Sequence, residues 1–260
     1  MDNNYPIQPY FSQNVLDYEE LISDIPGIHS FFQFRTSIDK STVPIIPDNC
    51  IDLMFCKTAN DIKVYYCGTV LKLEMYELLP DTEYFCVRFK MDIIDKIGDV
   101  PVKDCVCVDI IKDNADSLEV QIGHKIFHVS ELHKRIDIFI HDFGSCFKAG
   151  TNSELVNDVI AEIIAANGII SINDIAEKLH YSYSYMYSQF TKHVGLSPKL
   201  YCRITRFQYI MRSLLSSENA PHYGEDFGFY DQAHFYNEIK KLSGITPLEL
   251  VALSHKSFTS

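Results

Sequence analysis

The chain has 260 residues, enough for two domains, and a formal net charge of −12; its 47% hydrophobic and 22% charged residues predict packed cores. No run approaches the roughly 18 unbroken apolar residues of a membrane span, and the N-terminus lacks the basic and apolar regions of a secretory signal. Eight cysteines without CxxC pairs predict reduced thiols in a cytoplasmic protein that has no membrane partner.

The charge is unevenly distributed. Residues 1–150 carry a net charge of −10 and residues 151–260 one of −2. Residues 178–212 contain six Lys or Arg and no acid, whereas residues 213–239 contain five acids and no Lys or Arg. A local basic stretch in an acidic chain suits docking on phosphates. A solvated helix face is the alternative interpretation.

Residues 31–140 are predicted to be rich in β-strands. Short runs of β-branched and aromatic residues are separated by turn formers, and these runs lie at 30–35, 50–56, 62–67, 84–89 and 105–111. Many short strands without long intervening helices predict a barrel or a sandwich. An apolar series at helical spacing predicts helix within 115–142, and we expect a domain boundary near residue 150.

The N-terminal half offers little catalytic chemistry. Cys105 and Cys107 would share one face of a strand, either as a redox pair or as buried free thiols. His124 and His128 are one helical turn apart with His133 nearby, but no fourth ligand accompanies them, so no metal site is predicted. The sequence also lacks GxSxG, P-loop and GxGxxG motifs, and we predict neither catalytic residues nor a cofactor.

The C-terminal tail is predicted to be all helical because each helix has its own start and stop signals. The signals are Asn167-Gly168 after a helix at 153–166, caps at Ser171 and Ser182, Gly195, Ser197-Pro198 before a helix of about 18 residues, Asp231, and Thr246-Pro247. Met186, Phe190, Phe235 and Ile239 are expected in the core.

A nine-residue block occurs twice in this tail, 49 residues apart: FTKHVGLSP at 190–198 and IKKLSGITP at 239–247. Each copy joins a helix to the next through a glycine turn, which is typical of helix-turn-helix units. The linking helix would be roughly 27 Å long. With part of each unit added, the two reading helices would lie about 34 Å apart, near one turn of duplex DNA.

The residues of both units resemble the AraC/XylS family of bacterial transcription regulators. The similar segments, which lie within about 105 residues, are 172–179, 182–198, 228–235 and 239–247. The resemblance implies an all-α pair of helix-turn-helix units joined by a linker helix, which reads promoter DNA in two adjacent major grooves.

The resemblance also implies roles for individual residues. The base-facing residues would be Ser184, Tyr187 and Ser188 in the first unit and Gln232, Ala233, Tyr236 and Asn237 in the second. Asn and Gln can bond adenine edges bidentately, and hydroxyls can bond several bases. The candidates for phosphate contacts are Tyr183, Lys192, Arg203 and Arg206. A solvated polar position is the alternative for each of these residues.

Several positions depart from the family pattern. His180 stands where the first turn commonly has glycine, Gly224 replaces a small helix-favouring residue, and no Arg projects from either reading helix. Glu225 and Asp226 add negative charge to the second unit. We therefore expect the first unit to dominate the affinity for DNA.

Two N-terminal segments, 43–55 and 84–89, are similar to the cupin-like regulatory half of some family members. The implied fold class is α+β with two domains: a β-rich regulatory, effector-binding or dimerisation domain at 1–150 and the DNA-binding domain at 151–260. Asp52 and Arg88 would form a pocket pair for an effector. A surface salt bridge or a capping role is the alternative.

The predicted function is a cytoplasmic, sequence-specific transcription regulator, with an activator favoured by analogy. Its N-terminal half would alter promoter binding through linkage. The implied partners are double-stranded DNA and a small-molecule effector, with RNA polymerase and a second copy of the chain as further candidates. The alternative is a cupin-like enzyme, binding a metal or small molecule, whose tail is an interaction module.

Overall fold

A computed structural model describes residues 6–12, 15–39, 41–91, 94–149, 154–216 and 227–255. The strands are β1 (Leu16–Ile22), β2 (Ile28–Arg35), β3 (Ser41–Ile45), β4 (Cys50–Lys57), β5 (Ile62–Cys67), β6 (Glu74–Leu78), β7 (Glu83–Lys90), β8 (Ile94–Ile97), β9 (Val100–Pro101), β10 (Ile110–Lys112) and β11 (Phe147–Ala149). Helices α1 (Leu118–Ile126) and α2 (Leu132–Phe143) precede β11.

The main sheet of the N-terminal half has six antiparallel strands in the order β1-β2-β7-β4-β5-β10. β3 and β6 form a separate two-stranded sheet, and β8, β9 and β11 a three-stranded one. The predicted α+β class and β-rich half are confirmed. The main sheet is open at β1 and β10, so a closed barrel is not formed, and the separate smaller sheets are compatible with the predicted sandwich.

Side-chain alternation along the strands gives the main sheet two apolar faces. On one face, the rings of Phe31, Phe55 and Phe85 pack around Phe139 of α2, with centroids 6.0–6.3 Å from it. On the other face, Phe32 and Phe34 pack against Phe11 of the N-terminal segment at 5.6 and 5.0 Å. The helices therefore cover one face, and the N-terminal segment covers part of the other.

The predicted strand at 105–111 is wrong over most of its length, since only Ile110–Lys112 is a strand. Cys105 is buried, while Cys107 is exposed and has a φ of +54°. The two thiols therefore do not share a strand face. The turn lies so close to Gly68 that a Cβ there would come 2.0 Å from the Cys105 carbonyl oxygen.

The C-terminal half is helical throughout its described residues, as predicted. Its helices are α3 (Glu154–Ala165), α4 (Ile172–Lys178), α5 (Tyr183–Val194), α6 (Pro198–Ser216), α7 (Gln232–Ser243) and α8 (Pro247–His255). Gly224, Glu225 and Asp226 lie outside the described residues, as does the predicted boundary between 150 and 151.

The predicted helix signals are present in the structure. The side chain of Ser182 accepts a hydrogen bond from the Tyr185 N–H, and that of Asp231 accepts one from the His234 N–H at 2.7 Å. Gly195 and Gly244 end α5 and α7 with φ of +80° and +72°. These are left-handed conformations that glycine adopts without steric cost, so the two repeated blocks have the same local structure.

His180 also adopts a left-handed conformation, with φ of +59°. It is the last residue of the turn after α4, where the family commonly has glycine. The substitution keeps the turn geometry at some conformational cost, because a residue with a Cβ disfavours this region.

Both helix-turn-helix units share their cores with the N-terminal half. Met186 and Phe190 of the first unit are fully buried in the same apolar cluster as Phe89 of β7. The second unit has its own cluster, in which Phe235 packs together with Tyr10 of the N-terminal segment. The N-terminal half therefore completes the packing of both units.

Candidate nucleic-acid interface

The first reading helix, α5, has one buried and one exposed face. Met186 and Phe190 lie in the core, whereas Ser184, Tyr187 and Ser188 are exposed. The three residues predicted to face bases are thus accessible to a ligand. Tyr183 is also exposed at the N-terminus of α5, and Lys192 is exposed two turns from it.

The second reading helix, α7, presents a similar polar face. Gln232, Ala233 and Asn237 are exposed, and Phe235 is buried. Tyr236 is half-buried, with its ring edge-on to Phe235 at 5.7 Å. Three of the four predicted base-facing residues are therefore fully accessible, and the fourth is partly accessible.

Helix α6 joins the two units. Its 19 residues span about 28 Å. Ile204, Phe207 and Met211 form a buried stripe along it and belong to the cores of the two units in turn. The spacer is thus packed at both ends and can hold the units at a fixed separation.

A groove with a volume of about 840 Å³ lies between the units, and we call it the inter-unit groove. Its walls come from the loop 168–171, from α4 and the start of α5, from α6, and from α7. The charged residues lining it are Lys199, Arg203, Arg206, Lys241 and Glu238. Because cations outnumber the carboxylate, the groove suits a polyanion.

Arg203 connects the spacer to the second reading helix. Its Nε lies 3.0 Å from Oε2 of Glu238, whose other oxygen is 2.6 Å from Nζ of Lys241. Burial alone would raise the pKa of Glu238. Lys241 and Arg203, however, each contribute a hydrogen bond and a positive charge, and together they lower the pKa of Glu238 below its ordinary value. Glu238 is therefore a charged anchor that fixes α7 on α6.

Arg206 packs against an aromatic ring. Its guanidinium lies 4.4 Å from the ring centroid of Phe229, and burial lowers its pKa. Arg203 and Arg206 thus both have partners within the protein, and their predicted phosphate contacts stay predictions. Sequence reasoning passed over Lys199 and Lys241, although Lys199 stands in the same basic stretch.

Asp52 and Arg88 do form a pair, and it lies inside the protein. The two residues are opposite each other in the β4–β7 register, and Arg88 donates to both carboxylate oxygens at 2.8 and 2.7 Å. Arg88 is 5% exposed and the Asp52 side chain 17%, so the salt bridge considered from the sequence is formed, and it lies largely inside the protein and not on the surface. Asp52 lines a cavity of about 40 Å³; an effector-binding role stays a prediction.

A second carboxylate accompanies this pair. Asp48 lies 3.8 Å from Arg88 and accepts hydrogen bonds from the Gln8 side chain and the Cys50 N–H. Burial raises the pKa of Asp48, and the charge of Arg88 partly offsets that rise. One guanidinium therefore compensates one buried carboxyl group, that of Asp48, and one half-buried carboxyl group, that of Asp52.

The loop that carries Asp48 also contacts the spacer helix. Gln208 of α6 donates to the Pro47 carbonyl at 2.7 Å, and Asn49 donates to the Tyr201 carbonyl at 3.2 Å. On its other edge, Gln208 accepts from the Ile7 N–H at 2.7 Å. The same loop therefore lines the small cavity and contacts α6.

Among the residues that the structure describes, no group of three or more His, Cys, Asp or Glu side chains is arranged to hold a metal ion. Across the same residues, no helix has both the length and the apolar character needed to cross a membrane.

A family model described as a helix-turn-helix domain matches residues 175–252, which include α5, α6 and α7. The Msm operon regulatory protein of Streptococcus mutans serotype c is 31% identical over 131 residues, which are 48% of this chain and 46% of that protein. The match thus spans about half the length of this relative.

Similar solved structures include the C-terminal domain of AraT, a response regulator from Geobacillus stearothermophilus, at 23% identity; the similarity covers 40% of this chain and 88% of that one, with a TM-score of 0.37. ToxT from Vibrio cholerae is similar over 87% of this chain and 98% of its own, at 8% identity and a TM-score of 0.46. The chain therefore carries a helix-turn-helix domain within residues 175–252 and is similar over about half of its length to a regulatory protein.

Proposed function

We propose that the chain is a sequence-specific DNA-binding transcription regulator that acts as an activator. The observation that carries the proposal is the pair of reading helices, α5 and α7, at the two ends of one packed spacer. Both present exposed polar residues away from their cores. The length of the spacer predicts a separation of about one duplex turn between them, which suits two successive major grooves on one face of DNA.

The proposed role of each residue in DNA binding follows from its position on the exposed faces of α5, α6 and α7. Ser184, Tyr187 and Ser188 contact bases in one groove, and the residues that contact bases in the next groove are Gln232, Ala233, Tyr236 and Asn237. Tyr183 and Lys192 contact the backbone, while Arg203 and Arg206 face phosphates from the inter-unit groove without leaving their protein partners. Backbone contacts fix the register, and base contacts supply sequence preference.

We further propose that residues 1–150 are the regulatory domain and residues 151–260 the DNA-binding domain. The Asp48 loop supports a coupling between them, because it contacts both the small cavity and α6. An effector that shifts this loop would change the fit of the spacer and hence promoter affinity. The proposed partners, besides DNA, are that small-molecule effector, RNA polymerase and a second copy of the chain.

Selection of bound sites from random duplexes tests the function. The full chain should enrich a two-part site in a salt-dependent manner. Ser188→Ala should relax the preference in one half and Asn237→Ala in the other, each costing about 1–3 kcal/mol of discrimination. Failure of the folded chain to enrich any sequence at low salt would contradict the proposal and favour a non-DNA role for the helical tail.

A further inference from the structure

The first reading helix carries an unusual exposed surface. Tyr181, Tyr183, Tyr185 and Tyr187 are 45%, 44%, 50% and 38% exposed, and we call them the tyrosine cluster. Exposed aromatic side chains in one patch mark an interaction surface more often than chance, because burying them against a partner is favourable.

The rings of the tyrosine cluster are held in pairs. Tyr181 stacks on Tyr185 with centroids 5.8 Å apart, and Tyr183 stacks on Tyr187 at 5.9 Å, each at an interplanar angle of 27°. Tyr183 and Tyr187 lie four residues apart on α5, and residues at that spacing meet on a helix surface. Tyr181 precedes the helix and stacks on Tyr185 from the turn before it. A partner would meet rings that are already ordered, which lowers the entropic cost of binding.

Small hydroxyl residues lie between the two pairs. With 3.6 residues per turn, Ser184 and Ser188 fall on the part of α5 that separates the Tyr183–Tyr187 side from Tyr185. The first cation along α5 is Lys192, and the helix contains no Arg. The usual reader of guanine, a bidentate Arg or Lys, is therefore missing from the first two turns of this helix.

We propose that α5 selects thymine-rich DNA through contacts between its tyrosine rings and thymine C5-methyl groups. This inference rests on the proposed function. In the major groove, that methyl group is the apolar feature that distinguishes thymine from the other bases. Tyr185 and Tyr187 flank Ser184 and Ser188 and make the contacts, while the serine hydroxyls bond neighbouring base edges. The first half-site is thus rich in A·T pairs.

Replacement of thymine by deoxyuridine tests this directly, because it removes only the methyl group. Each contacted thymine in the first half-site should lose about fourfold in affinity of the full chain when replaced. The same replacements in the second half-site should have a smaller effect. In the Tyr185→Ser and Tyr187→Ser double variant, the penalty in the first half-site should disappear, whereas Tyr187→Phe keeps the ring and should retain the penalty.

The outcomes separate this inference from the proposed function. If the chain binds its selected duplex and deoxyuridine in the first half-site leaves the affinity unchanged, the proposed thymine contacts are overturned. The proposed function as a DNA-binding regulator is not affected by that result. A first half-site rich in G·C pairs overturns it as well. A folded chain that binds no duplex overturns the proposed function itself. Circular dichroism confirms that the variants at these exposed positions fold.

Discussion

Replacing Arg88 by Met should destabilise the fold by about 3–5 kcal/mol at pH 7, because it leaves the buried Asp48 and the half-buried Asp52 without their counter-ion. Arg88 is 5% exposed and donates both of its hydrogen bonds to Asp52, with Asp48 3.8 Å away. Urea unfolding of the full chain, followed by circular dichroism, measures the change in the free energy of unfolding.

The loss should depend on pH in a defined direction. Burial raises the pKa of Asp48 even with Arg88 present, so the folded state binds the Asp48 proton more tightly than the unfolded state does. Such a carboxyl group stabilises the fold below its unfolded pKa of about 4, and that contribution is lost as pH rises through the folded pKa. Removing Arg88 raises the folded pKa further, so the destabilisation should be largest near pH 7 and smaller at pH 5.

Two comparisons make this test specific. Lys134→Met breaks an ion pair with Glu131 whose side chains are 51% and 46% exposed, and it should cost far less than Arg88→Met because solvent screens exposed charges. Adding Asp52→Asn to Arg88→Met should recover part of the loss. A loss from Arg88→Met no larger than that from Lys134→Met would contradict the account of a buried ionic cluster.

Truncating Tyr10 to Ala should loosen the second helix-turn-helix unit and cost about 3–5 kcal/mol, the range for large buried aromatic residues. Tyr10 is 2% exposed, packs in the cluster that contains Phe235 and Leu250, and donates a hydrogen bond to the Leu250 carbonyl at 2.9 Å. Hydrogen exchange should show faster exchange in α7 and α8, with a smaller change in α5.

The matched control is Tyr10→Phe, which keeps the ring and removes one hydrogen bond. It should cost about 0.5–1.5 kcal/mol and leave the exchange pattern of α7 close to that of the parent chain. Unchanged exchange in α7 and α8 of Tyr10→Ala would show that the N-terminal segment is not part of the second unit's core.

The helical half was largely predictable because its signals are local. The caps at Ser182 and Asp231 and the stops at Gly195 and Gly244 each depend on a few neighbouring residues, and the structure has all of them. Apolar spacing likewise placed Met186 and Phe190 in the core.

The N-terminal half was predicted less completely because its pairing partners are distant in sequence. β1 is mostly exposed, and its apolar and acidic residues do not alternate regularly, so it gives little apolar alternation to detect. The run that includes Cys105 has strand-like composition, yet Cys107 adopts a φ of +54°, which lies outside the extended region and interrupts the strand.

The contacts between the halves could not have been predicted from pattern alone. Gln208 reads as an ordinary polar helix residue, but it is buried between Pro47 and Ile7, which lie 161 and 201 positions away. Arg206 was a candidate for a phosphate contact because of the basic stretch and the family resemblance. Its packing on Phe229 depends on how the second unit folds back onto α6, which neither of them contains.

The central claim is that two reading helices on one spacer engage adjacent major grooves of a single duplex. Hydroxyl-radical footprinting of the full chain on its selected site tests this most directly. The account predicts two protected patches on one face, about 10 base pairs apart, with the stronger protection over the half-site read by α5. A single patch, or two patches on opposite faces of the duplex, would contradict it.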